Sequence, residues 1–271
     1  MSKFTDATRC AEPRISCIMP AFNEAANLRR VVPATLRLLR SLAAQVELIV
    51  VDDGSGDDTA TVTSELCREW PELVLLQLSR NFGKEAALAA GLETARGDVV
   101  LLMDADGQHP PELVAEMLRL WREEGVDNVY AVRGSRADQP RLYGFAVHLF
   151  YRVINWGSRF QVPVDASDFR LLDRRVVEVL NALPEHHRFT KGLYAWAGFR
   201  SAAVRYEPLP RATGRSRFGL RGAARLGATG LLAFSATPLR LFVVFGLLLA
   251  AAALGYGLWV VMEYFIWGTQ V

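Results

Sequence analysis

Residues 99–109 read VVLLMDADGQH, and residues 46–55 read VELIVVDDGS. Each is a short run rich in Val, Ile and Leu that stops at two acidic residues and a glycine. A continuous apolar run bounded by turn formers describes a strand buried on both faces, as found in parallel sheets. Similar runs occur at 15–19, 74–78 and 129–132. Helical periodicity fills the gaps at 24–43, 57–69, 84–95 and 111–123. Alternation of strand and helix predicts an α/β fold with a mainly parallel central sheet. Ligands of such sheets lie beyond the carboxyl ends of the strands, so chemistry is expected just after each run.

The junctions there are polar. The first strand runs into Pro20-Ala21-Phe22-Asn23-Glu24, the second into Asp52-Asp53-Gly54-Ser55, the third into Ser79-Arg80-Asn81-Phe82-Gly83-Lys84 and the fourth into Asp104-Ala105-Asp106-Gly107-Gln108. Taken singly, each reads as a helix cap or turn, since Asn, Asp and Ser cap helices and Gly permits reversal. Four on one sheet edge read better as a site for a polar, phosphate-bearing ligand. No G-x-x-x-x-G-K-[ST] occurs, which excludes a P-loop, and Gly54-Ser55-Gly56 lacks the third glycine of a dinucleotide fingerprint. Asp104 and Asp106 alternate in extended chain, so both carboxylates can meet one hard cation. Gln108 continues the spacing with an amide oxygen. Mg²⁺ or Mn²⁺ shared with the phosphates of a nucleotide suits such donors.

Composition narrows the class. With 271 residues, the chain makes one large or two small domains at roughly 150 residues each. Hydrophobic residues at 51% against 22% charged exclude disorder, and 31 basic against 29 acidic residues argue against nucleic-acid binding by bulk charge. Cys10, Cys17 and Cys67 are odd in number and lack metal-ligand spacing, which suits a reducing cytosol.

Residues 241–261 read LFVVFGLLLAAAALGYGLWVV without a charge, long enough to cross about 30 Å of hydrocarbon. Arg211, Arg215, Arg217, Arg221, Arg225 and Arg240 precede this run, and Glu263 follows it. The positive-inside rule places what precedes the span in the cytoplasm, and residues 1–10 carry no apolar export core. From 215 to 234 arginines alternate with Phe218, Leu220, Leu226, Leu231, Leu232 and Phe234, as in an interfacial amphipathic helix. The expected organisation is a cytoplasmic catalytic domain at 1–210, an amphipathic interfacial segment at 211–237 and a transmembrane helix at 238–266, on the inner membrane.

In order along the chain, PAFNE, VVDDGSGDDT, SRNFGKEAAL, MDADGQHPPE and SDFRLLDR resemble the family 2 inverting glycosyltransferases of GT-A fold. The resemblance is to their polyprenyl-phosphate branch, which includes dolichol-phosphate mannose synthases and bacterial undecaprenyl-phosphate glycosyltransferases. It implies that Pro20, Ala21, Asn23 and Glu24 line the nucleoside pocket and that Asp53 bonds the base. It sets Arg80 and Lys84 beside the nucleotide and makes Asp104, Asp106 and Gln108 metal ligands. Arg133 falls on the lipid phosphate, with Arg136 and Arg141 as helpers. Asp168 falls at the reaction centre with Arg170 beside it, and Asp106 and Arg133 share the catalytic role. Lys191 and Trp196 fall in a closing segment, and Ser216 and Arg217 reach the donor phosphates. Lysine is more usual at the Arg217 position, so charge is kept and donor geometry changes.

The expected activity is therefore inverting, metal-dependent transfer of one hexose from a nucleotide sugar, UDP-glucose foremost, to polyprenyl phosphate for envelope glycan or other modification. Partners are the nucleotide sugar, the lipid acceptor, the membrane and, as an open option, a second copy. GDP-mannose as donor, or a non-catalytic scaffold binding nucleotide sugar, are the competing readings. A processive synthase is disfavoured because the Q-x-x-R-W motif is missing: Gln77-Leu78-Ser79-Arg80 is followed by Asn81. His109, His186 and His187 read as ordinary loop or helix-end residues.

Overall fold

A computed structural model of the chain describes residues 9–10, 12–110, 112–134, 152, 163, 166–184, 190–207 and 237–268. Strand β1 (Arg14–Ala21) occupies the middle of the sheet, and Ile15, Cys17, Ile18 and Met19 along it are wholly buried. Both of its faces are covered, which is why its sequence shows no alternation. It pairs in parallel with β2 (Gln45–Asp52) on one side and β4 (Val99–Leu102) on the other, and β2 pairs in parallel with β3 (Leu73–Gln77). Beyond β4 follow β6 (Ala166–Asp173), β5 (Asn128–Arg133) and β7 (Ser201–Tyr206), completing the order β3-β2-β1-β4-β6-β5-β7. β6 runs antiparallel to both neighbours, whereas β5 and β7 are parallel. The five strands and four helices expected from the sequence all form, with ends within two residues of those read from it.

Helices α1 (Ala25–Leu42), α2 (Thr59–Glu69) and α4 (Glu112–Glu124) pack on one face of the sheet. On the other lie α3 (Lys84–Thr94), α5 (Arg174–Asn181) and α6 (Thr190–Trp196). Leu28, Val32, Leu36 and Leu39 of α1 are wholly buried, each contributing about 2 kcal/mol by removal from water. That stripe lies on both sides of Pro33, so the helix continues through a residue that removes one of its backbone donors. Gly91 lets α3 lie close against β1, since a Cβ there would sit 2.4 Å from a methyl of Ile18. The chain moves outward from β1 through α1 and α2, then returns across the sheet through α3 to β4. The direction of winding therefore reverses between β1 and β4, and a crevice opens at their carboxyl ends.

The last element, α7 (Thr237–Trp267), is apolar on every face between Arg240 and Glu263. Its segment Phe242–Ile266 is long and apolar enough to cross a membrane, and large side chains such as Phe245, Leu248 and Trp259 are more than half exposed. A helix apolar all round and unburied by protein is suited to lipid. Most of the interfacial segment expected at 211–237 lies outside the described residues. Cys10, Cys17 and Cys67 carry free thiols.

Candidate active site

The crevice is built from loops that hold one another. Asn23, after β1, has a positive φ of 55°, a conformation Asn tolerates better than most residues. Its Oδ1 accepts the N–H groups of Gly56 at 2.8 Å and Asp57 at 3.2 Å, and its own N–H donates to Ser55 Oγ at 2.8 Å. The Glu24 N–H donates to Thr59 Oγ1 at 2.9 Å, and Glu24 Oε2 accepts from Asn27 Nδ2. Gly54 has φ 64°, and a Cβ there would sit 2.4 Å from the Arg80 carbonyl carbon, so only glycine lets the loops after β2 and β3 touch. Asp53 completes the join: Oδ1 accepts the Phe82 N–H and Oδ2 the Gly83 N–H, both at 2.8 Å. Asp52 is wholly buried and its Oδ1 accepts the Ser55 N–H at 3.0 Å. The acidic pair after β2 thus serves the backbone; any contact of Asp53 with a base must use its remaining lone pairs.

The pair after β4 is placed differently. The antiparallel β4–β6 ladder ends with Leu102 facing Arg170; Asp104 follows β4 two residues beyond that pair, and Asp168 lies two residues before Arg170 on β6. Because β6 runs backwards, its first residues share an edge with the last residues of β4. Lys84, opening α3, spans the two carboxylates: Nζ lies 2.6 Å from Asp104 Oδ1 and 2.8 Å from Asp168 Oδ2. Lys191 of α6 approaches Asp168 Oδ1 at 3.7 Å. Partial burial alone would raise both carboxyl pKa values. The Lys84 ammonium, joined by His109 at Asp104 and by Lys191 at Asp168, instead holds them well below the usual carboxylate range. The Lys84 ammonium is shifted upward by the two carboxylates in spite of its own desolvation. The centre is therefore ionised, with two negative charges fixed around a lysine.

Of the remaining expected residues, Pro20 and Ala21 end β1, and the Ala21 carbonyl accepts the Asp53 N–H at 2.9 Å. The Arg80 guanidinium stacks on the exposed ring of Phe82 at 4.1 Å, at the rim. Asp106 Oδ1 accepts the Gln108 N–H at 3.1 Å. Asp104, Asp106 and Gln108 supply only hard oxygen donors, which fit a Mg²⁺ or Mn²⁺ ion that takes its other ligands from phosphate and water. Among the described residues no three His, Cys, Asp or Glu side chains gather into a closed metal cage. Arg133 ends β5 opposite Tyr206, and Trp196 at the end of α6 is half exposed. The Arg133 side chain and Arg136, Arg141, Ser216, Arg217, His186 and His187 lie outside the described residues.

His109 is a correction. It is no ordinary loop residue: its ring is buried, stacked on Phe169 at 4.2 Å, with Nε2 3.7 Å from Asp104 Oδ2. It also lines a cavity of about 250 Å³ between α1 and α4, with Arg30, Val31, Leu38, Met103 and Val114. Glu85 was missed altogether. An acid in the first turn of a helix ordinarily complements the helix dipole, but this one reaches across to α6, where its Oε2 accepts the Thr190 N–H at 3.0 Å. Only the pairing of α3 with α6, invisible in sequence, reveals it.

A parallel sheet whose winding reverses beside a strand-end acidic pair, extended by an antiparallel strand carrying a third acid, defines a GT-A-like α/β fold. The chain belongs to the family described as glycosyl transferase family 2, whose model matches residues 16–180. It is 36% identical to an uncharacterized glycosyltransferase of Synechocystis sp., covering 95% of this chain and 80% of that one. It is 35% identical to a bactoprenol glucosyl transferase of Shigella phage SfV, covering 95% and 84%. Among solved structures, glucosyl-3-phosphoglycerate synthase from Mycobacterium tuberculosis, in complex with Mn²⁺ and UDP-glucose, superposes with a TM-score of 0.55 at 23% identity, covering 82% and 79%. That likeness is one of fold.

Proposed function

We propose that the chain is a membrane-attached inverting glucosyltransferase that moves one glucose from UDP-glucose to the phosphate of a polyprenyl phosphate. The observation that carries this reading is the ionised Asp104–Lys84–Asp168 constellation at the reversal of the sheet. The bactoprenol glucosyl transferase relatives and the apolar α7 support a lipid acceptor. The Mn²⁺ and UDP-glucose of the structural relative support a metal-assisted nucleotide-sugar donor.

In this reading the loops at Pro20, Ala21, Asn23, Glu24 and Asp53 cradle the nucleoside, with Arg80, Lys84, Ser216 and Arg217 along the diphosphate. Asp104, Asp106 and Gln108 hold a divalent cation, which when bound supplies Lewis acidity to the departing nucleoside diphosphate. Arg133, Arg136 and Arg141 hold the acceptor phosphate, with which guanidinium pairs in bidentate fashion. That phosphate is already an anion, so little general-base help is needed. One of its oxygens forms a bond to the anomeric carbon as the bond to the diphosphate oxygen breaks on the opposite face, and UDP leaves with the electron pair. Asp168, kept ionised by Lys84 and Lys191, sets a fixed negative charge beside the positive charge that develops on the sugar. A single displacement turns an α-linked donor into a β-linked product. The domain at 1–210 faces the cytoplasm, 211–237 lies at the interface and 238–266 crosses the inner membrane, in keeping with the arginines before the span.

The test is turnover of labelled UDP-glucose by the purified full chain with undecaprenyl phosphate, with NMR of the glycolipid. A single β-glucosyl phosphodiester is expected. An α-linked product or a chain of several sugars overturns the mechanism. Preference for GDP-mannose replaces the donor, and nucleotide-sugar binding without turnover makes the chain a scaffold.

A further inference from the structure

Glu85 stands next to Lys84 in the first turn of α3 and points its chemistry elsewhere. Lys84 reaches Asp104 and Asp168, whereas Glu85 Oε2 accepts the Thr190 N–H at 3.0 Å, 105 positions along the chain. Thr190 opens α6, and the first N–H groups of a helix have no acceptor of their own. The next residue is Lys191, whose ammonium stands 3.7 Å from Asp168 Oδ1. The surroundings are crowded with charge and polar groups. Arg170, from β6, lays its guanidinium 3.8 Å over the ring of Tyr194 from α6, and both are buried. Asp168, Lys191, Lys84, Arg170 and Tyr194 all act electrostatically on or with Glu85. A carboxylate placed there for solvation alone would face water at the helix start; this one ties two elements that carry opposite sides of the reaction centre.

We propose that Glu85 is a positioning residue: by holding the Thr190 N–H it fixes the start of α6, so that Lys191 stays against Asp168. The proposal rests on the glycosyl-transfer reading for its effect on rate and on geometry alone for the tether. Glu85 touches no reacting atom. It joins α3, which carries one cation of the centre, to α6, which carries the other.

A double-mutant cycle in the full-length protein tests this. Glu85→Ala is expected to lower kcat by about 10- to 30-fold while the donor KM and calorimetric UDP affinity stay within about twofold. Glu85→Gln keeps a carbonyl acceptor of the same reach and restores kcat to within about threefold. In a Lys191→Ala background, Glu85→Ala costs less than about twofold more, because the residue it positions is gone. Hydrogen exchange of the 190–196 segment rises in Glu85→Ala and stays at the wild-type level in Glu85→Gln. If Glu85→Ala does not fold, Glu85→Asp, one methylene too short to reach Thr190, takes its place. Losses that multiply in the double variant, or unchanged exchange at 190–196, overturn the proposal. If wild type and variants alike fail to use UDP-glucose, the reaction reading falls, and exchange together with UDP affinity still decides the role of Glu85.

Discussion

Two acidic pairs close two strands that flank β1, and they work in opposite ways. Asp52 and Asp53 end β2 with their carboxylates nearly inaccessible, accepting the N–H groups of Ser55, Phe82 and Gly83. Asp104 and Asp106 follow β4, where Asp104 remains about a third exposed and answers to a lysine side chain rather than to the backbone. Backbone donors are fixed by the fold, so the first pair is part of the frame. A lysine on a flexible stem can yield its partner to a stronger cation, so Asp104 can exchange ligands, while Asp106 beside it accepts the Gln108 N–H. The same residue type at the same edge is made structural or chemical by what donates to it.

The widest separation between the pairs is expected in turnover. Asp104→Asn should reduce kcat at least about 100-fold, or about 2.7 kcal/mol in the barrier, with little loss of thermal stability. Excess EDTA should abolish activity and added Mn²⁺ or Mg²⁺ restore it, as read in a glucosyl-transfer assay. Full activity in chelator would erase the distinction. Asp53→Ala should add a cost the Asp104 variant lacks, destabilising the fold by about 1–3 kcal/mol in urea titration, because the part-buried N–H groups of Phe82 and Gly83 lose charge-assisted partners. Asn23→Ala sharpens the frame side further. It removes the acceptor of two N–H groups and leaves an αL backbone without the residue that tolerates it, at about 1–2 kcal/mol by the same titration.

The smallest effect concerns pH. Burial first, and Asp168 second, push Glu85 from 4.5 up to about 7, against the pull of the Thr190 N–H, Lys191 and Lys84. The folded state then holds a proton that the unfolded state has released between those values. Relative to Glu85→Gln, stability should therefore fall as pH rises from about 4.5 to about 7 and level off above. Thermal melts of both proteins across that range decide; parallel curves would mean Glu85 is ionised throughout.

The parallel half of the sheet was legible because its strands are short runs rich in Val, Ile and Leu and α1 carries a clean apolar stripe that persists through Pro33. Its strand ends therefore pointed to Asn23, Asp53, Lys84 and Asp104. The other half was harder. The β6 run contains Asp168, Arg170 and Asp173, so it read as a motif and not as a strand, although Phe169, Leu171 and Leu172 are fully or nearly fully buried. β7 mixes Arg205 with small residues and offers no apolar run. What Asp53 binds could not be read at all, since Phe82 and Gly83 give up backbone N–H groups that any residue but proline could supply. His109 was misread for a related reason: its neighbour Phe169 is distant in sequence and close only through the β4–β6 ladder.

The backward run of β6 also sets a timetable. Lys84 and Asp104 emerge early in synthesis, yet the strand that brings Asp168 to them is made some sixty residues later, and Lys191 later again. β4 cannot fill its outer edge until that strand arrives, and pairings between distant parts of a chain are the slow ones to form. A nascent chain can thus assemble the parallel half of the sheet while still lacking the Asp168 charge that joins Asp104 and Lys84. The Asp104–Lys84–Asp168 cluster is complete only once β6 has been translated, and it gains Lys191 when α6 follows.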